Sequence, residues 1–213
     1  ILEIDNKSIT NRPDLWGHYG IARELAALYH LPMKEFPRFD RNVANTAGFH
    51  VTVEDAERCP RMTGTQIENV CVKPAPYWMQ VRIWKTGMRP INALVDITNY
   101  VMLATGQPSH AYDSDHIAGH IIVRRAKAGE TLTLLNGKEL PLSTDDLTIA
   151  DDAGIVGLAG VMGGAKDSIL PTTSRVILEI ANFQAAGIRR TALRYDNRTE
   201  ASARSVSYTH LRA

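Results

Sequence analysis

Between Val95 and Asp113 the chain reads Val-Asp-Ile-Thr-Asn-Tyr-Val-Met-Leu-Ala-Thr-Gly-Gln-Pro-Ser-His-Ala-Tyr-Asp. The run sets the hydroxyl of Thr98 and the carboxamide of Asn99 before one tight reversal and the imidazole of His110 after it, with no charged residue from Thr98 to His110. Neutral groups of this kind can hold a water against a carbonyl without a metal. Glu179 is the second candidate, the one charge within Val176-Ile177-Leu178-Glu179-Ile180. A lone carboxylate is costly to bury unless something hydrogen-bonds it. Strand alternation could equally turn it to solvent, and taken alone the pattern favours that, because Glu is seldom fully buried.

Other constellations carry less. His110, Asp113, Asp115, His116 and His120 crowd together, but none forms the His-Glu-x-x-His pattern of a catalytic zinc helix, and Gly119 argues against a helix between His116 and His120. A loop of solvated polar residues is expected there, and no metal. Gly157 to Lys166 resembles a phosphate loop superficially, yet Ala165 precedes Lys166 and Asp167 follows it, where a Walker loop needs Gly and then Ser or Thr. Gly163-Gly164 could let backbone approach a ligand, offer a floor of N–H donors, or be a mere turn. Arg189, Arg190 and Arg194 form a basic face, ordinarily solvated but able to meet phosphates. No Gly-x-Ser-x-Gly elbow occurs.

The elements that must position these residues point to an α+β fold. Ile1 to Asp5 alternates like an edge strand, Asn11 to Asp14 is a turn, and Ile21 to Leu31 has helical apolar spacing with a face too small to stand alone. Lys34 to Gly48 reads as a linker. Strands are expected over Phe49 to Val53, Arg61 to Val72, Ile121 to Ala126 and Val176 to Ile180, and helices over Pro76 to Lys85, Ile91 to Thr105 and Gln184 to Tyr195 as the final element. Asn136-Gly137 predicts a type I′ hairpin within Thr131 to Leu142, and a second hairpin turns over Asp151 to Gly154 between Leu147–Ala150 and Ile155–Leu158. Strands grouped between helices, without regular alternation, favour mixed sheets with packed helices over a doubly wound sheet.

Bulk properties narrow the partners. The 213 residues carry 24 basic against 23 acidic side chains, a net charge of +1 that excludes a strongly basic nucleic-acid-coating domain but not contact with one end of an RNA held elsewhere. Two cysteines, Cys59 and Cys71, suit a reduced cytoplasmic protein better than a disulfide framework. No apolar run is long enough for a membrane span. A chain opening on Ile1-Leu2-Glu3-Ile4 looks cut from something longer.

Together these blocks resemble a known family. Asn11-Arg12-Pro13-Asp14, Gly20 to Leu25, Arg89-Pro90-Ile91-Asn92, Asp96 to Met102, Gly106-Gln107-Pro108, His110-Ala111-Tyr112-Asp113, Gly160 to Gly164, Leu178-Glu179 and Thr199 to Ser202 are similar, in order, to the bacterial phenylalanyl-tRNA synthetase β subunit. The resemblance implies a B3/B4 editing domain over 49–204, preceded by a B1-like fragment over 1–35 and a linker over 36–48. Such a domain hydrolyses tyrosine wrongly esterified to the tRNA for phenylalanine. It implies a site in which His110, Thr98 and Asn99 position water and ester, while Glu179 binds the tyrosine para-hydroxyl beside Gly163, Thr199 and Ala201, and so it places Glu179 inside. The implied partners are the acceptor end of that tRNA and the synthetase α subunit in an α2β2 assembly. ATP and magnesium serve the full synthetase, with no cofactor for this part. The rival is a non-catalytic, tRNA-contacting or structural module of the same synthetase with a vestigial pocket. Residues 205–213 continue no motif of the family and are expected to be a non-native tail.

Overall fold

The computed structural model of the protein describes residues 4, 6–9, 11–36, 49–166 and 168–207. The strand expected over 1–5 and the linker expected over 36–48 lie outside the described residues, apart from Ile4 and Phe36. In chain order the elements are α1 His18–Tyr29, β1 Val51–Val53, β2 Arg61–Ile67, α2 Tyr77–Lys85, α3 Ala93–Thr105, β3 His110–Asp113, β4 Ile121–Arg125, β5 Thr131–Thr133, β6 Glu139–Pro141, β7 Leu147–Asp151, β8 Gly154–Leu158, β9 Met162–Gly163, β10 Val176–Asn182, α4 Ala185–Arg194 and α5 Glu200–Ser207. One sheet has the order β1-β4-β7-β8-β9, a second β2-β10-β3, and β5 pairs with β6 alone. This is the α+β class: the large sheet is mixed, because β4 runs parallel to β1 and antiparallel to β7, while the small sheet is antiparallel throughout.

A shared apolar core decides which faces turn inward. Ile121, Val123, Ile149, Val156 and Leu158 of the large sheet meet Leu132 and Leu140 of the β5–β6 hairpin, Tyr112 and Ile177 of the small sheet, and Ile188 and Ala192 of α4. Each large aliphatic side chain removed from water stabilises by about 1.5 to 3 kcal/mol. β10 takes the central position of the small sheet, so the strand that carries Glu179 is paired on both edges.

Several elements differ from the sequence expectation for physical reasons. The residues after His110 begin a strand, β3, rather than a solvated loop. Its last residue, Asp113, is buried and accepts from the Thr173 hydroxyl at 2.5 Å and the Asp115 N–H at 3.0 Å. The turn at Asn136-Gly137 is not type I′, because Gly137 alone of the pair has positive φ (81°). Gly137 N–H bonds Leu134 O, and Leu134 N–H bonds Lys138 O, the pattern of a three-residue loop closed by a glycine bulge. α4 is not the final element. α5 follows it, with Ser205 buried and Val206 packed on the core, so the first turn of the supposed tail belongs to the module; residues 208–213 lie outside the described residues. The signal for α5 was Thr199-x-x-Ser202, whose backbone N–H groups are each capped by the other's hydroxyl (2.8 and 3.0 Å).

Residues 12–31 stand on the C-terminal end of α3. An added Cβ at Gly17 would lie 2.3 Å from Gly106 N, so the chains meet backbone to backbone. His18 Nδ1 lies 2.7 Å from Leu103 O, and Arg204 of α5 donates to Trp16 O. The apolar side chains of α1 contribute less, with Leu25 and Leu28 exposed.

Asp146 ties α4 to the sheets. Its fully buried carboxylate accepts from Ser143 N–H (2.9 Å), Thr191 Oγ1 (2.8 Å) and Tyr195 OH (2.5 Å), and pairs with Arg194. Arg194 of the supposed basic face is therefore a structural partner. Asp146→Ala strands these donors and should cost about 3 kcal/mol or more in urea denaturation. A loss under 1 kcal/mol would show that α4 is held by its apolar contacts alone.

Candidate active site

Three groups of residues assemble the site. In the first, Asn92 caps α3 by accepting from Leu94 and Val95 N–H (both 3.1 Å), while the buried Asp96 accepts from Ile91 N–H at 2.8 Å. That fixed start puts Thr98 and Asn99 on one helical turn facing the cavity. The helix stops at Gly106, whose φ of 82° suits glycine and where an added Cβ would lie 2.8 Å from Pro13 O. Gln107 then tethers the reversal, its Nε2 donating to Pro108 O and Ala181 O at 3.0 and 3.3 Å.

In the second group, β3 pairs with β10 so that His110 and Glu179 are register partners. Residues two apart on a strand share a face, so Tyr112 lies on the same side as His110. Its ring meets the imidazole edge to face, centroids 4.5 Å apart. Its hydroxyl donates to Glu179 Oε2 at 2.6 Å. Glu179 is 7% exposed and Tyr112 1%. Sequence reasoning missed Tyr112, although the i, i+2 spacing from His110 was its signal.

The third group supplies the opposite wall. β9 brings Gly163 under the imidazole, where a Cβ would lie 2.6 Å from His110 Nε2 and Cε1. Gly163 is thus needed for its missing side chain. Gly164 N–H is spent on Val156 O and so is not a free donor, and Gly163 lies in β9 and not in a mere turn. Thr199 Oγ1 donates to Val161 O at 2.8 Å, fastening α5 and Ala201 to the same wall.

All seven residues singled out from the sequence, Thr98, Asn99, His110, Gly163, Glu179, Thr199 and Ala201, line one cavity of about 580 Å³. Their roles are uneven. The Thr98 hydroxyl donates to Val95 O at 2.8 Å, leaving its lone pairs to accept. The Asn99 carboxamide has no hydrogen-bond partner among the described residues. Burial pushes the His110 imidazole down to about 4, so it is neutral near pH 7. Burial raises the Glu179 carboxyl to about 7, opposed by the Tyr112 hydroxyl, which favours the charged form. His116 and His120 lie elsewhere, their Nδ1 atoms 3.8 Å from Asp113 and 3.0 Å from Asp152. No group of three or more His, Cys, Asp or Glu placed to hold a metal occurs among the described residues.

Comparison with known proteins places this geometry in context. Residues 58–209 match the family model for the B3/4 domain. The phenylalanine–tRNA ligase β subunit of Solibacter usitatus is 48% identical over 95% of this chain and 26% of its own length. That of Anaeromyxobacter dehalogenans is 43% identical over 91% of this chain and 25% of its own. The chain therefore spans about a quarter of the length of these relatives. A solved N-terminal fragment of the phenylalanyl-tRNA synthetase β subunit from Pyrococcus horikoshii is 18% identical, covers 89% of this chain and 59% of its own, and has a TM-score of 0.47.

The two perturbed groups give opposite pH signatures. The raised Glu179 carboxyl contributes stability present below the unfolded value near 4.5 and lost as pH rises through about 7. The depressed His110 contributes stability present above about 6.5 and lost as pH falls toward 4. Glu179→Gln should therefore gain on the wild type by up to about 3 kcal/mol between pH 4.5 and 7 and level off above. Denaturant titrations across that range measure it, and parallel pH curves for the two proteins would refute a buried, titrating Glu179.

Proposed function

The chain belongs to the B3/4 domain family, and on that premise we propose that it is the editing module of a phenylalanine–tRNA ligase β subunit, hydrolysing tyrosine wrongly esterified to the tRNA for phenylalanine. One observation carries the reading: a buried carboxylate, Glu179, lines the cavity beside a neutral imidazole, and its partner from the protein is already a phenolic hydroxyl. A tyrosine side chain offers the same donor, and phenylalanine does not.

An aminoacyl ester is activated for hydrolysis, so the site needs a placed water and a stabilised oxyanion more than a strong nucleophile. His110, neutral and held between Tyr112 and Gly163, orients the water and takes up its proton as the oxygen attacks the ester carbon. The Asn99 amide donates toward the carbonyl oxygen as charge develops there, and Thr98 accepts from water or ribose through its remaining lone pairs. The ester C–O bond then breaks, and the proton passes to the departing ribose oxygen. Phenylalanine entering this cavity would leave the Glu179 carboxylate desolvated without a second donor. Sites built to bond a hydroxyl reject the analogue lacking it by roughly 10⁴ to 10⁵ in favourable cases.

The reading carries its partners with it. The module acts on the acceptor end of the tRNA within a cytoplasmic assembly of α and β subunits, where ATP and magnesium serve amino-acid activation on the α subunit. No described helix is long and apolar enough to cross a membrane.

In the assembled synthetase, Glu179→Ala should slow tyrosyl-tRNA hydrolysis by roughly ten- to a hundredfold, the equivalent of one hydrogen bond to a charged group, with much less effect on phenylalanyl-tRNA. His110→Ala should impair both. Equal losses on both esters for Glu179→Ala would remove the selectivity role. A wild-type protein that deacylates tyrosyl-tRNA no faster than buffer would leave a structural or RNA-contacting module in place of an enzyme.

A further inference from the structure

Tyr112 has no assigned part in the reaction, yet it touches both halves of the site. It is buried, its hydroxyl holds Glu179 Oε2 at 2.6 Å, and its ring supports the His110 imidazole at 4.5 Å between centroids. From this geometry we propose that Tyr112 is the positioning residue that sets selectivity: it pins one carboxylate oxygen, leaves the other for a ligand's phenolic hydroxyl, and braces His110 with its ring. The proposal rests on the editing reading and adds a residue to it.

A carboxylate has about four lone-pair sites, and burial removes the water that would fill them. One hydroxyl from the protein leaves capacity for a second. The bond from Tyr112 also fixes the carboxylate plane, so the second hydroxyl meets an acceptor already oriented, with little ordering left to bear on binding. Because His110 and Tyr112 share one face of β3, a displacement of either is felt by the other.

The charge on Glu179 depends on few neighbours. From β3 it faces Tyr112 and His110, the latter kept neutral by burial. From β2 its register partner is Gly64, which brings no side chain. From the stretch before β2 comes Cys59, whose thiol burial pushes up to about 12 and therefore keeps protonated. The Tyr112 hydroxyl is thus the interaction that favours the ionised carboxyl against desolvation. Without it the carboxyl titrates higher and is protonated at neutral pH. A neutral acid strands no charge when phenylalanine occupies the cavity, so discrimination weakens. Raising the pH restores the charge and, with it, the discrimination.

The test compares Tyr112→Phe with Tyr112→Leu in the assembled synthetase, on tyrosyl- and phenylalanyl-tRNA. Tyr112→Phe keeps the ring and loses the hydroxyl. Its preference for the tyrosyl ester should fall about tenfold at pH 7, equivalent to one charged hydrogen bond, and recover toward the wild-type value near pH 8.5. Tyr112→Leu also loses the ring and should slow both esters. An unchanged preference in Tyr112→Phe, or equal slowing of both esters that raising the pH does not relieve, overturns the proposal. A second readout separates its failure from that of the editing reading. The infrared band of the protonated Glu179 carboxyl, identified by its loss in Glu179→Gln, should persist to higher pH in Tyr112→Phe. If it does not, the coupling is wrong whatever the hydrolysis shows. If the wild type hydrolyses neither ester, the editing reading falls and the proposed selectivity with it, and the infrared shift then tests only the Tyr112–Glu179 bond.

Discussion

A carboxylate taken out of water must be given partners, and the site around Glu179 is organised by that requirement. Desolvation of a single charge costs several kcal/mol in a protein interior, comparable to a sizeable share of a domain's net stability. Among the described residues Glu179 receives one strong hydrogen bond, from Tyr112, and no arginine or lysine is paired with it. Two other acids are held differently. The fully buried Asp146 gathers several donors and Arg194, and the partly exposed Glu130 is bonded twice by Arg124. Those acids are structurally satisfied. Glu179 is left with acceptor capacity facing a cavity, which is how a binding group is built.

The surrounding architecture follows from holding that carboxylate still. A central strand has neighbours on both edges, so β10 cannot shift register without turning Glu179 to the other face. β3 is short, but Asp113 anchors its far end and Gln107 ties its near side to β10. Gly163 lets the opposite wall close to contact with the imidazole. On α3, the caps at Asn92 and Gly106 fix where Thr98 and Asn99 face.

Much of this was legible in the residues. The helix carrying Thr98 and Asn99 announces itself by apolar spacing and ends at a glycine before Gln107-Pro108. The hairpin over Asp151 to Gly154 follows from local turn chemistry. Glu179 was ambiguous by itself, because alternation along a strand says which residues share a face but not which face is covered. Its burial depends on chain distant in sequence, from β3 and from the loops around Gly163 and Thr199. Tyr112 was lost for a related reason: a four-residue strand of mixed polarity carries too little pattern to separate it from a loop. The Thr199–Ser202 capping pair was present in the sequence but precedes too polar a helix to stand out. At Asn136-Gly137 the local signal was real but underdetermined, since loop length selected a bulged turn over the two-residue one.

The central claim is that Glu179 reads a phenolic hydroxyl as an ionised acceptor. It is tested most directly by calorimetric binding of two non-hydrolysable analogues, tyrosyl and phenylalanyl groups amide-linked to the terminal adenosine of a tRNA acceptor stem. Titrations to the assembled synthetase near pH 6.5, in buffers of different ionisation enthalpy, report the protons exchanged on binding. A donor reaching the carboxylate lowers its proton affinity, so the tyrosyl analogue should bind more tightly and release protons that Glu179→Gln does not. The phenylalanyl analogue should release none. Equal affinities with no difference in proton exchange would contradict the account.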